Sequence, residues 1–317
     1  MRYTRTIACF DLKQIADSGQ CFRMVTDSSS YITVSRGKRL HVSQEGEEVT
    51  FDCPEEDLPY WLNYFDCATD YAAVIAAVDP KDAYLTAAAQ AGRGIRILRQ
   101  DPWEMIITFV ISQQKTIPNI RQLVEALCRR WGTPLVVDPA GQTCAGQACA
   151  GQTCAGQACA GQTSAENPPC AFAFPTPEQL SGASLEELLE LKLGYRAKYI
   201  HRLAQDAAGG ALDLERLITM EYGEAMEYLT GFYGIGKKVA NCVCLFGLHH
   251  IEAFPVDTWI EKILMREYYS AKKYRRTPQN RLFDAILEDH FGKYGGYAGV
   301  LQQYIFYYER LNKNKIA

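Results

Sequence analysis

No stretch of this 317-residue sequence carries roughly 18 uncharged apolar residues in a row, the minimum for a membrane-spanning helix. The N-terminal MRYTRTIACFDLKQIADSGQ likewise lacks an apolar run of signal-peptide length. A cytoplasmic protein without membrane contact is the resulting expectation. The sequence also lacks an excess of positive charge: its net charge is -4, so any nucleic-acid footprint must be local rather than spread over the surface. A secretion signal is missing too, so its twelve cysteines read as reduced thiols and not as a disulfide framework.

Four of those cysteines, Cys144, Cys149, Cys154 and Cys159, fall in the five pentads AGQTC AGQAC AGQTC AGQAC AGQTS of residues 140–164. A period of five matches neither the helical 3.6 nor the strand period of two. No histidine interleaves the cysteines, so the segment reads as a low-complexity insertion with no metal.

What is present is a change of pattern along the chain. Between Tyr31 and Cys53, YITV, RLHV and EVTFDC are separated by Arg36-Gly37-Lys38 and Gln44-Glu45-Gly46, which reads as an antiparallel meander. After about Asp79 the chain reads as helix. Asp101, Thr176 and Ser184 each stand three residues before Glu or Gln, a helix-start signature. Beyond Pro118, Ile120, Leu123, Val124 and Leu127 mark one buried helical face that stops near Gly132. The fold class is therefore α+β, with an N-terminal antiparallel β-sheet domain over 1–80 and a larger all-helical region over 81–317.

The chemistry concentrates in LTGFYGIGKKVANCVCLFG, residues 229–247. Gly234 and Gly236 allow a tight turn and close approach of the backbone to another surface. The helix start that follows offers N–H groups and the positive end of its dipole to a phosphate, which defines a helix-hairpin-helix grip on DNA. Gly234, Gly236, Lys237 and Val239 would form that grip, although GxG alone more often marks a plain interhelical turn. In AFPVDTWIEKIL, which follows, Asp257 stands 19 residues after Lys238, at the N-cap of the next helix.

GIGKKVANC followed by FPVD resembles the helix-hairpin-helix superfamily of base-excision DNA glycosylases, and within it the 8-oxoguanine DNA glycosylase branch. The resemblance implies that Lys238 is the nucleophile and Asp257 its acidic partner. SGQCFR at 18–23 is similar to the family segment in which the glycine at Gly19 offers its carbonyl to the proton on N7 of 8-oxoguanine. LGYRAKY at 193–199 resembles the segment whose Tyr195 and Arg196 enter the stack and meet the widowed cytosine, with Gln114 nearby. AGVLQQYIF at 298–306 resembles the helix that gives Gln302 to the base's edge and Phe306 to its face, with Cys242 on the other face.

The sequence departs from this pattern at Trp259, in place of a histidine; at Tyr233, in place of Pro; at Met24, in place of Trp; and at Asn119, in place of Arg. No four-cysteine cluster follows the hairpin, as an iron-sulfur relative would show. The resemblance implies a monomeric bifunctional glycosylase/AP lyase acting on double-stranded DNA with oxidised guanine. It implies no cofactor, save for a monovalent cation that relatives often hold on hairpin carbonyls. Two alternatives stay open: an alkylpurine glycosylase using Asp257 and water, and a non-enzymatic DNA-binding module. Attack by Lys238 requires the free amine, which desolvation or the neighbouring Lys237 would favour.

Overall fold

The computed structural model describes residues 1–135 and 170–316, so the pentads of 140–164 lie outside the described residues. The N-terminal part is a five-stranded sheet in the order β1-β5-β4-β3-β2, every neighbouring pair antiparallel. Its strands are β1 (Arg2–Thr6), β2 (Met24–Asp27), β3 (Ser30–Ser35), β4 (Lys38–Glu45) and β5 (Glu48–Asp52). The expected meander is β3-β4-β5. Ser35 pairs with Lys38 across Arg36-Gly37, whose φ values of 49° and 73° are both positive, as the tightest hairpin turn demands. The second turn sits one residue later than the sequence suggests, at Gly46-Glu47 between the paired Glu45 and Glu48. Strand β1 gave no signal because RYTRT lies at an edge, with its side chains mostly exposed.

One face of the sheet buries Leu40, Val42, Val49 and Phe51 against Leu12 and Ile15 of the helix Leu12–Asp17 and against Trp61 and Tyr64 of the helix Leu58–Tyr64. The other face packs Ile32 and Val34 on Cys170. The remainder is helical, and its larger core begins early, taking Phe22, Tyr71, Val74 and Val78. Predicted helix starts stand where caps were expected: Asp101 accepts from the Glu104 N–H at 3.0 Å, and Thr176 and Ser184 close reciprocal capping boxes. The 120–127 face lies on the helix Ile117–Trp131, which ends at Gly132. Cysteines at 9, 21, 53, 67, 128, 170, 242 and 244 are free thiols. Among the described residues no helix is long and apolar enough to cross a membrane.

Two features tie the sheet side to the helical side. The buried Gln20 side chain donates to the Arg96 carbonyl at 2.8 Å and accepts from the Leu98 N–H at 2.8 Å. Gln100 then donates to the Gln20 carbonyl at 2.9 Å, while its own N–H reaches the carbonyl of Phe246 at 3.1 Å. The 18–23 loop is thereby fixed relative to the helix that carries Lys238.

Candidate active site

The helix Lys237–Phe246 begins at Gly236, an extended N-cap with no side chain to satisfy the first N–H groups. Those donors remain free at the positive end of the dipole. The turn before it is fixed from several sides. Gly234 has φ +93°, and a Cβ there would lie 2.4 Å from the Tyr199 ring, so only glycine fits. Gln113 donates from Nε2 to the Gly234 carbonyl at 3.0 Å. Asn241, buried, accepts from the Tyr222 hydroxyl at 2.7 Å and donates to the Lys237 carbonyl at 3.0 Å, joining the first turn to the preceding helix Tyr222–Thr230.

Lys238, Cys242 and Phe246 follow at four-residue spacing and therefore share one helical face. That face lines a cavity of about 150 Å³. Gly19 and Phe22 of the 18–23 loop, Phe109 and Ser112 of the helix Pro102–Ser112, Asp257, and Gln302, Gln303 and Phe306 of the helix Ala298–Ile316 complete most of its wall. Such a cavity is well below the roughly 300–1,000 Å³ of sites for drug-sized ligands, and suits a single base.

Each side chain is held in place. Lys238 Nζ lies 5.3 Å from the centroid of the Phe109 ring, which stacks on Phe246 at 5.4 Å. Burial pushes the Cys242 thiol up against the opposing pull of the Lys238 charge, so the sulfur stays protonated and apolar at neutral pH. Asp257 caps the helix Thr258–Glu267, and both capping N–H groups, Trp259 at 3.0 Å and Ile260 at 2.8 Å, bond to Oδ1. Oδ2 stands outside the cap. Phe306 packs edge-to-face on Trp259 at 5.1 Å. Gln302 is 5% exposed, and its Oε1 has no hydrogen-bond partner, an unmet acceptor on the cavity wall. Gly19 has φ +83° and packs under Phe306. Its neighbours are anchored by Gln303, which donates to the Ser18 carbonyl at 2.5 Å, and by Arg310, which donates to that of Asp17.

The structure thus brings Lys238, Asp257, Gly19, Cys242, Gln302 and Phe306 to one cavity. It treats the hairpin and wedge residues differently. Tyr195 and Gln114 are exposed, Gln114 with φ +53°. Arg196 is buried at 4% exposure, its guanidinium donating to the carbonyls of Gln113 and Leu193. Reaching a widowed base would require it to leave those partners. Lys237 is exposed but paired with Asp284 at 2.8 Å, on a neighbouring cleft of about 550 Å³ that Lys238 also lines. Val239 is buried, so it can meet DNA only through its backbone.

Sequence reasoning missed Phe109, which lies in an apolar run that reads only as core, and Gln303, whose neighbour Gln302 in the same motif was singled out instead. It also missed Gln113 as the hairpin's anchor. The only signal for it was its place beside Gln114.

Residues 2–106 match the family model for the 8-oxoguanine DNA glycosylase N-terminal domain, and residues 107–285 that of the HhH-GPD superfamily of base excision DNA repair proteins. The chain belongs to the 8-oxoguanine DNA glycosylase branch of that superfamily. Among members of this family, the N-glycosylase/DNA lyase of Saccharomyces cerevisiae is 28% identical over 93% of this chain and 82% of its own length. An 8-oxoguanine glycosylase/lyase of Clostridium acetobutylicum, solved with duplex DNA carrying cytosine opposite the lesion, superposes with a TM-score of 0.79 at 30% identity. That match covers 99% of this chain and 98% of the other. The glycosylase fold itself reaches further, to a 3-methyladenine DNA glycosylase of Archaeoglobus fulgidus at 20% identity and a TM-score of 0.68, covering 98% of each chain.

Proposed function

We propose that this protein is a bifunctional DNA N-glycosylase and AP lyase that excises 8-oxoguanine from duplex DNA. The observation that carries the reading is that an amine, a carboxylate and an unmet amide oxygen converge on one base-sized cavity behind a hairpin of free N–H groups. The hairpin N–H groups hold a backbone phosphate and set the register of the duplex. A purine within the stack is out of reach, so it is flipped out at a cost of about a few kcal/mol and received by the cavity.

Cys242 and Phe306 cover the two faces of the base, and Gln302 Oε1 accepts from its pairing edge. The Gly19 carbonyl accepts from N7–H of 8-oxoguanine. Guanine presents a lone pair there instead, which leaves the carbonyl facing a second acceptor. One such bond discriminates by about 1–3 kcal/mol.

Lys238 Nζ then attacks C1′ as the base departs with the bonding pair of the glycosidic bond, while the proton lost by the amine neutralises the departing base. The Asp257 carboxylate stabilises positive charge on the sugar as the bond breaks. Opening of the sugar ring leaves a Schiff base between Lys238 and C1′. Loss of a C2′ proton and of the 3′ phosphate completes β-elimination.

Lys238→Gln is expected to bind a duplex with a single 8-oxoguanine yet neither release the base nor form a borohydride-trapped adduct. A trapped adduct at the wild-type level in that variant would refute the nucleophile. Parallel duplexes with alkyladenine and uracil test the substrate assignment.

A further inference from the structure

Among the described residues, only two aromatic side chains are substantially exposed, Tyr195 at 43% and Tyr233 at 57%. Isolated surface tyrosines are ordinary. These two are not isolated. Both rest edge-to-face on Tyr199, with ring centroids at 5.7 Å for Tyr195 and 4.8 Å for Tyr233. Tyr195 and Tyr199 sit one turn apart at the start of the helix Arg196–Ala208, whereas Tyr233 comes from the hairpin, more than thirty residues later.

The common mount is locked to the hairpin. Gly234, next to Tyr233, lies so close to Tyr199 that a Cβ would overlap its ring. The Gly234 carbonyl is held by Gln113, whose own carbonyl is held by Arg196 under the Tyr195 ring, with the guanidinium 4.5 Å from the ring centroid. Two exposed rings, the exposed Gln114 and the free N–H groups of Lys237–Phe246 therefore belong to one rigid patch.

Resting on the glycosylase reading above, we propose that Tyr233 is a second stacking residue of the DNA face. Extrusion of a base leaves its neighbours and its former partner with bare π-faces. Tyr233 and Tyr195, carried on one ring, cover those faces and hold the gap open. Tyr233 is a positioning residue: it touches neither the flipped base nor the reacting atoms, and its effect belongs to binding at an interrupted stack.

The test compares affinity for a duplex containing a tetrahydrofuran abasic analogue, where the stack is already broken, with affinity for the same duplex undamaged. Tyr233→Ala is expected to weaken binding to the analogue by roughly ten-fold, in the range measured for loss of one base–aromatic stack, and to leave binding to undamaged duplex unchanged. Tyr233→Phe keeps the stacking face and is expected to restore the preference. No loss with Tyr233→Ala, an equal loss on the two duplexes, or failure of Tyr233→Phe to restore the preference would each overturn the assignment. Wild-type protein that itself shows no preference for the abasic analogue would sink the enzymatic reading instead.

Discussion

Gly19 shows how much one residue decides. With φ +83° it occupies a conformation that costs an L-residue about 1–2 kcal/mol, and a Cβ would sit 3.1 Å from Phe306 Cε1 and 3.4 Å from Ile117 Cδ1. Gly19→Ala is therefore expected to lower the melting temperature by a few degrees and to crowd the base cavity. Excision of 8-oxoguanine is expected to fall at least ten-fold, about 1.4 kcal/mol in the barrier. Borohydride trapping on a preformed abasic site, which puts no base in the cavity, is expected to persist. Loss of trapping together with excision would mean that Gly19 supports Lys238 and not the base. At this scale the sequence was legible where a short motif carries the residue: Lys238 in GIGKK and Asp257 in PVD both line the one cavity. It was silent on the burial of Arg196, because one of the carbonyls that hold its guanidinium, that of Gln113, lies some eighty residues away.

The hairpin contains two glycines that look alike in sequence and differ in structure. A Cβ on Gly234 meets the Tyr199 ring at 2.4 Å, while a Cβ on Gly236, with φ −92°, meets nothing within 4 Å. Gly234→Ala must displace either the ring or the turn and is expected to cost about 1–3 kcal/mol of stability, read as a lower denaturation midpoint. Gly236→Ala is expected to unfold like wild type yet bind DNA more weakly, because its methyl intrudes where a phosphate approaches the N–H groups. Equal denaturation midpoints for the two variants would refute this division. Periodicity and capping marked the existence and start of such elements, since both are local. Strand β1 and the mounting of two tyrosines on Tyr199 were not legible, because each depends on a partner far along the chain.

At the scale of the molecule, the cavity is walled by both the 18–23 loop and the lysine helix, so the junction between the sheet side and the helical side holds its walls together. Asp66 sits in that junction at 1% exposure. Its carboxylate accepts from Tyr71 Oη at 2.9 Å and from Arg99 at 3.0 and 3.1 Å, and lies 3.2 Å from Nε2 of His249, just beyond the lysine helix. Burial alone pushes this carboxyl up, but His249, Thr69 and Arg99 outweigh it and draw the group down to about 2.

A depressed folded-state value means that the stabilisation is complete above the unfolded value near 4 and fades as pH falls towards 2. The difference is worth about 2 kcal/mol. Asp66→Asn is therefore expected to melt several degrees below wild type at pH 7, with the two curves converging near pH 2. Melting temperatures taken across that range check it. A gap that stayed constant from pH 7 to pH 2 would show that the carboxylate charge is not what joins the two halves. Because the loop bearing Gly19 is stapled to the lysine helix through Gln20 and Gln100 as well, Asp66→Asn protein that remains folded at low temperature is expected to keep its excision activity. Stability and catalysis are then separable at this junction, although they are not at Gly19.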